Sequence, residues 1–247
     1  MIIIFNNGDT KMILFFLLQP AHAGERFLAW SYGVDTVPQG EIEVEHYATV
    51  ETHHEDGALV PEWKHQIELE YGVTNALEAG LYVVGAQTGD AAFSFSGYKA
   101  RLRYRFWPIS TRPFELAAYL EYVGSPTFEE HEAEAKLIFS HEGEKIRAAL
   151  NLTGEFGFEQ GTLTPALEPT LGLAWRATSH LAVGLEGKTE TVFAEEVEGP
   201  MFWAGPTVHL AGQGGRLWWT LSSLFALSDT TREDAEVEAR SLLGINL

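Results

Sequence analysis

The chain has 247 residues, of which 24 are glycine and none is cysteine, and its formal net charge is −19. This length allows one large β domain or two small ones, and the lack of cysteine excludes disulfide frameworks and thiolate metal sites. The negative charge argues against nucleic acid as a partner and against simple attraction to anionic lipid. No uninterrupted apolar run approaches the roughly 18 residues that a spanning helix needs.

The N-terminus has the features of an export signal. Met12 to Leu18 form a short apolar core, Pro20 ends it, and Ala21-His22-Ala23 is a small-x-small motif of the kind that signal peptidases cleave. We therefore predict a signal peptide over residues 1–23 and a mature domain over residues 24–247. The alternatives are a buried N-terminal strand and a membrane anchor, and the segment is too short for an anchor.

Twelve stretches of the mature chain alternate apolar and polar residues for about ten positions each, which is the pattern of transmembrane β-strands. In the clearest stretch, Leu102 and Tyr104 share an apolar face while Arg101 and Arg103 share a charged one. The predicted strands are 40–52, 62–73, 77–87, 93–106, 113–123, 130–140, 144–157, 165–176, 180–192, 200–211, 215–227 and 233–247. They predict an all-β, antiparallel, up-and-down transmembrane barrel of about 12 strands.

The connections between these strands also alternate in character. Short links such as Thr74-Asn75-Ala76 and Ala177-Thr178-Ser179 alternate with longer, more acidic ones such as Thr52 to Pro61 and Ser228 to Arg232. Short periplasmic turns and longer outer loops are typical of bacterial outer-membrane barrels. An even number of strands places both ends of the barrel in the periplasm. We therefore predict a bacterial outer-membrane location, with membrane lipid as the partner of the apolar face.

Two blocks near the mature N-terminus resemble a group of uncharacterised Gram-negative outer-membrane barrels. They are Ala29-Trp30-Ser31-Tyr32-Gly33-Val34-Asp35-Thr36-Val37-Pro38-Gln39-Gly40-Glu41 and His65-Gln66-Ile67-Glu68-Leu69-Glu70-Tyr71-Gly72-Val73-Thr74-Asn75-Ala76-Leu77-Glu78. More loosely, they are similar to the transporters named after the MetA pathway of phenol degradation. The resemblance implies an outer-membrane barrel with a transport role, and it brings no catalytic or binding residues with it.

If the apolar face contacts lipid, the charged face lines the lumen, and its charges are the candidate pore-lining residues. We predict these to be the basic residues of the fourth strand and a set of glutamates on the first, second, sixth and last strands, namely Lys99, Arg101, Arg103, Arg105, Glu41, Glu43, Glu45, Glu68, Glu70, Glu132, Glu134, Glu236 and Glu238, with Arg240. Glutamates of the adjoining first and last strands would form one acidic wall roughly across from the basic strand. Such a transverse field orients and selects polar solutes.

The same charges allow a second interpretation. Eight-stranded barrels are filled by their side chains and barrels of sixteen or more strands contain an aqueous channel, and twelve strands lie between these cases. Arginine and glutamate side chains that interlock into ion pairs would then only stabilise the barrel. The segment Phe27 to Val34 also leaves two alternatives open, because it fits either a partial extra strand or a stretch that dips into the lumen.

Three further constellations are weaker. His53-His54-Glu55-Asp56 contains metal-ligand types, but adjacent residues rarely converge on one ion, so we expect a solvated acidic loop and no metal site. Asn151-Leu152-Thr153 is a chance match to a glycosylation acceptor, since it lies within a strand. His46 and Ser241 face outward on strands that meet at closure, as in barrels that hydrolyse lipids, but no third group to orient the histidine lies on that face.

We therefore expect no enzyme activity and no cofactor. The function that the sequence favours is a narrow passive pore for small polar or amphipathic solutes. A structural or partner-binding barrel with a charge-plugged lumen is the alternative, and a lipid hydrolase is a minor one. Whether the barrel forms homo-oligomers is left open.

Overall fold

The computed structural model describes residues 2–7, 10–15, 24–55, 57–194 and 197–247. Two short strands, β1 (Ile2–Asn7) and β2 (Thr10–Phe15), pair with each other as a separate antiparallel sheet. The proposed cleavage motif at 21–23 lies outside the described residues. Among the residues described, no helix is long and apolar enough to cross a membrane.

Twelve antiparallel strands close into one barrel, as the alternating pattern predicts. They are β3 (Ile42–Glu55), β4 (Ala58–Gly72), β5 (Leu77–Thr88), β6 (Ser94–Arg105), β7 (Glu115–Gly124), β8 (Glu130–Glu142), β9 (Ile146–Glu159), β10 (Thr162–Arg176), β11 (Leu181–Phe193), β12 (Val197–Gly212), β13 (Leu217–Ala226) and β14 (Val237–Asn246). Each strand pairs with its neighbours in sequence, and β14 pairs with β3 to close the sheet. Closure leaves no free sheet edge, which is what a spanning sheet requires.

The outside of the barrel is a continuous apolar surface. On β6, Leu102 is 51% exposed and Tyr104 is 46% exposed, whereas Arg101 and Arg103 on the opposite face are each 3% exposed. The same alternation on other strands leaves many large apolar side chains on the exterior. A soluble protein rarely exposes so much contiguous apolar surface. The exterior therefore faces lipid, and the charged side chains face the lumen.

The predicted difference in length between the two sets of connections is wrong. Residues 56–57 alone separate β3 from β4, and residues 160–161 separate β9 from β10. Strand pairing continues to the pairs His54–Leu59 and Glu159–Thr162, so most of these two predicted outer loops is strand. We call the end where β3 begins and β14 ends the periplasmic end, because both ends of an even-stranded barrel lie on that side.

One outer connection contains a helix, α1 (Asp229–Asp234). The Ser228 side chain caps it by accepting a hydrogen bond from the Thr231 backbone N–H, at 3.2 Å. Such caps satisfy a donor that the first helical turn leaves free. This helix occupies positions 233–234 of the predicted last strand, so β14 begins at Val237 rather than at residue 233.

Residues 24–37 lie inside the barrel, and we call them the lumenal segment. No strand is assigned within it. Phe27 packs with alanines near the periplasmic end, whereas Trp30 packs with Met201 and Trp203 on the outer half of β12. Val37 returns to the periplasmic end, where its N–H donates to Glu78. The segment thus enters the lumen, turns near Trp30 and leaves again, which answers the question that its sequence left open.

Candidate functional site

Glu186 of β11 holds the turn of the lumenal segment. Its carboxylate accepts hydrogen bonds from the backbone N–H groups of Ala29, Trp30 and Ser31, at 2.9, 2.8 and 3.0 Å. A segment without strand partners must find acceptors for its buried backbone donors elsewhere. The Glu186 side chain of the barrel wall accepts hydrogen bonds from three of these donors.

Other wall residues bind the returning half of the segment. Asn151 of β9 accepts from the Tyr32 N–H at 2.7 Å and donates to the Tyr32 carbonyl at 2.9 Å, as a neighbouring strand would. Arg147 donates to Asp35 at 2.7 Å. These contacts come from strands that are far apart in sequence from the segment.

The aromatic side chains of the segment pack against cations and rings of the wall. The Arg240 guanidinium lies 3.8 Å from the centre of the Trp30 ring, and the Lys136 ammonium lies 4.6 Å from the centre of the Tyr32 ring. The Phe27 ring stacks on His209 with centroids 4.2 Å apart. Cation–π contacts that are shielded from water stabilise by about 2 kcal/mol or more. The segment is therefore held by its side chains as well as by its backbone.

Below the turn of the segment, the periplasmic half of the lumen contains a buried ion-pair network centred on Arg101. Arg101 donates to Glu68 and Glu78, each at 2.5 Å, and to Glu70. Arg103 donates to Glu78 at 2.9 Å. The basic strand β6 therefore contacts acidic residues of β5 and β4 directly. These glutamates are not part of the predicted acidic wall, which consists of residues on the first and last strands.

Above the turn, the outer half of the lumen is an open cavity of about 460 Å³, which we call the vestibule. Trp30 and Tyr32 of the lumenal segment line its inner end, together with Tyr47, Tyr82 and Tyr119 of the wall. Its charged wall has seven glutamates and five basic residues. Cavities of this size and polarity accommodate small molecules. The vestibule is thus open toward the outside and closed by the segment toward the periplasm.

The predicted pore-lining residues divide among these regions. Glu43, Glu45, Glu68, Glu70, Arg101 and Arg103 are buried in the periplasmic half, and Lys99, Glu132, Glu134 and Arg240 line the vestibule. Glu238 is buried and pairs with Lys188 at 2.7 Å. Three residues lie at the ends of the barrel: Glu41 is exposed ahead of β3, Arg105 donates to the Asn75 carbonyl, and Glu236 pairs with His54 at 2.8 Å.

Several residues of the site escape prediction from sequence. Glu186, Asn151 and Glu78 hold the segment, and Glu155 and Glu168 line the vestibule. Each is a single inward-facing polar residue in an alternating strand, with the same local pattern as many others. Only the folded structure distinguishes them, because it places some against the distant segment and others along the vestibule.

The outward-facing pair considered for lipid hydrolysis has separate partners. Ser241 accepts a hydrogen bond from the Trp219 indole at 2.8 Å, and His46 contacts His65 at 3.2 Å. In the β3–β14 register, Ser241 lies opposite Ala48 and His46 lies opposite Leu243. The structure thus gives each residue a local packing role.

A closed barrel with an apolar exterior and a charged lumen defines the class of protein, which is a bacterial outer-membrane β-barrel. Within this class, the chain belongs to a family of unknown function, DUF6662, whose model matches residues 20–143. No curated protein matches the chain in sequence. The looser similarity to transporters of the phenol-degradation type stays a prediction.

Solved structures of outer-membrane channels share this fold. The COG4313 outer membrane channel from Pseudomonas putida F1 is 9% identical with a TM-score of 0.63, and the match covers 87% of this chain and 98% of that one. The NanC porin is 6% identical with a TM-score of 0.57, covering 83% of this chain and all of the porin. The KdgM porin, solved with oligogalacturonate, is 10% identical with a TM-score of 0.55, covering 83% and 97%. At these identities the likeness shows the fold alone.

Proposed function

We propose that this protein is a narrow passive channel of the outer membrane for small polar or amphipathic solutes, closed by its own lumenal segment. The observation that carries the proposal is the division of the lumen. An open, charged vestibule of about 460 Å³ ends at Trp30 and Tyr32, which belong to a segment that has no strand pairing with the wall. Side-chain contacts alone fix the segment, so it can move without opening the barrel sheet.

The charges of the vestibule suit solutes that carry both charge and polar groups. Lys99 pairs with Glu121 at 2.9 Å and Lys136 with Glu134 at 3.0 Å along its wall. Paired charges of both signs offer donors and acceptors to a passing solute without strong retention of either sign. The excess of glutamates favours cations and zwitterions over anions. The shared fold with channels and porins is consistent with passage of small solutes.

Liposome swelling tests this function. Mature protein in liposomes should admit small sugars and amino acids, and Glu186→Gln should admit them faster because the carboxylate that holds the turn of the segment is lost. Glu144→Gln is the matched control, since Glu144 is exposed in a periplasmic turn. If neither the wild type nor Glu186→Gln admits any solute of the panel, the channel proposal fails.

The alternative is a barrel whose filled periplasmic half never opens, so that the vestibule only binds a solute or partner. The buried network around Arg101 favours this alternative, because such a network stabilises one closed arrangement. Saturable binding of a solute without swelling, in both the wild type and Glu186→Gln, would support it.

Export is part of the proposal. We propose cleavage before Gly24, which leaves the lumenal segment at the start of the mature chain. N-terminal sequencing of protein isolated from outer membranes checks this boundary.

A further inference from the structure

Three glutamates converge in the periplasmic half of the lumen, and we call them the carboxylate cluster: Glu43 and Glu45 of β3, and Glu70 of β4. One carboxylate oxygen from each lies within 4.8 Å of the others, and the three residues are at most 1% exposed. The strand pairing explains the convergence, because Glu43 lies directly opposite Glu70 and Glu45 is two residues further along the same face.

Each of these glutamates uses one oxygen for contacts with the protein. Glu43 accepts from the Trp218 indole at 2.6 Å, Glu45 accepts from the Tyr47 hydroxyl at 2.5 Å, and Glu70 accepts from Arg101. Their other oxygens are buried and receive no hydrogen bond from any residue that the structure describes: Glu43 Oε2, Glu45 Oε1 and Glu70 Oε2. Burial of a carboxylate oxygen without a partner is costly, so these three atoms point to a missing cation or donor.

The local charge supports a cation rather than a neutral donor. Five buried glutamates lie in this region, with three buried arginines, namely Glu43, Glu45, Glu68, Glu70 and Glu78, with Arg26, Arg101 and Arg103. The arginines leave an excess of two negative charges, of which the α-ammonium of a mature N-terminus at Gly24 would offset one. A buried excess of this kind is strongly unfavourable unless a counter-charge accompanies it.

The mature chain closes over the cluster. Gly24 lies directly against Glu43, so that a Cβ atom at this position would be 2.0 Å from Glu43 Oε2. Glycine suits this close approach, and its φ of 120° also favours glycine. An ion in the cluster would therefore lie beneath the start of the lumenal segment.

We propose that the carboxylate cluster binds one divalent cation, and that calcium is the cation that fits. Calcium takes about six to eight oxygen ligands in flexible geometry, so it tolerates carboxylates whose positions are set by strand pairing, whereas magnesium demands near-ideal octahedral geometry and keeps several waters. One calcium ion offsets the negative charge that the arginines and the mature N-terminus leave in the region. Backbone carbonyls and water would complete its shell.

Terbium luminescence tests the site, because Trp218 is hydrogen-bonded to Glu43 and can sensitise an ion bound there. Mature protein is stripped with EDTA in detergent micelles and titrated with terbium, followed by calcium chloride as competitor. We expect one saturable signal that calcium displaces. Glu45→Gln should weaken terbium binding by about tenfold or more, since affinity follows the number of charged ligands, while Glu144→Gln should leave it unchanged.

Two results would overturn the proposal. A signal that persists in Glu45→Gln but disappears in Glu155→Gln would place the ion in the vestibule instead. The absence of a saturable, calcium-sensitive signal in the wild type would also overturn it, and would leave the α-ammonium of a mature N-terminus at Gly24 as the counter-charge.

Thermal unfolding gives a second measurement, in which calcium should reverse the order of the unfolding temperatures of the wild type and Glu43→Gln. In EDTA, Glu43→Gln should unfold at a higher temperature than the wild type, because it removes one of three crowded carboxylates. In saturating calcium chloride the wild type should be the more stable protein. The same order in both conditions would contradict the site. This measurement does not involve solute passage, so its outcome is independent of the channel proposal.

Discussion

At the scale of single residues, burial separates two kinds of charge in the lumen. Arg101 is almost fully buried and donates to three glutamates, whereas Lys64 lines the open vestibule and is only partly buried. A buried charge that loses its ionic partner is not solvated by water instead, whereas a charge in the open vestibule is. The two residues are both basic and both face inward, so the sequence pattern alone does not distinguish them.

This difference predicts a large loss of stability from one neutralising substitution and a small change from another. Arg101→Met should lower the free energy of unfolding by about 3–5 kcal/mol, because Glu68 and Glu70 remain buried without their ionic partner, while Glu78 keeps Arg103. Lys64→Met should change it by less than about 1 kcal/mol. Denaturant unfolding in lipid vesicles, followed by tryptophan fluorescence, measures both. Equal effects of the two substitutions would show that water reaches the Arg101 network.

At the scale of elements, the lumenal segment and the strands are held by different forces. Each strand of the barrel pairs through its backbone with a neighbour on both sides. The segment is held to the wall by hydrogen bonds that involve side chains, of which the three to Glu186 are the densest group. Elements with few backbone bonds to their surroundings open locally at lower free energy than the core sheet. The segment is therefore the element that we expect to move first.

Thiol labelling tests this order of stability, because the chain has no cysteine of its own. Ser31 is 1% exposed at the turn of the segment, whereas Ser96 is exposed in the vestibule. A water-soluble maleimide should react slowly with Ser31→Cys and several-fold faster when Glu186→Gln is added. The labelling rate of Ser96→Cys should be the same with and without Glu186→Gln. Unchanged labelling of Ser31→Cys would mean that Glu186 does not hold the segment.

At the scale of the whole molecule, the barrel itself follows from local sequence. Alternation on β6 predicts which residues face lipid and which face inward, because successive side chains of a strand point to opposite sides. Pairing of β14 with β3 follows from closure, since a free edge is not tolerated in lipid. The strand bounds extend beyond the predicted ones at β3 and β10, where pairing continues into what the composition indicates as loop.

The contents of the lumen do not follow from local sequence. Phe27 to Val34 has no alternation, and its main acceptor, Glu186, is 156 positions from Trp30. Glu186 has the same pattern as any inward glutamate of a strand. The ion pairs around Arg101 depend on which neighbours the register brings opposite one another. Sequence thus predicts that charges line the lumen, while the three-dimensional pairing determines which of them are buried, paired or open to water.

The proposed channel depends on closure of the lumen by the lumenal segment. Single-channel recording in planar bilayers tests this most directly, with the wild type compared with Glu186→Gln/Asn151→Ala, which removes the main contacts of the segment with the wall. We predict brief, rare openings of the wild type and an open probability at least about tenfold higher for the double variant, since about 1.4 kcal/mol of lost closed-state contact suffices for that factor. Identical open probabilities, or no conductance from either protein, would contradict the account.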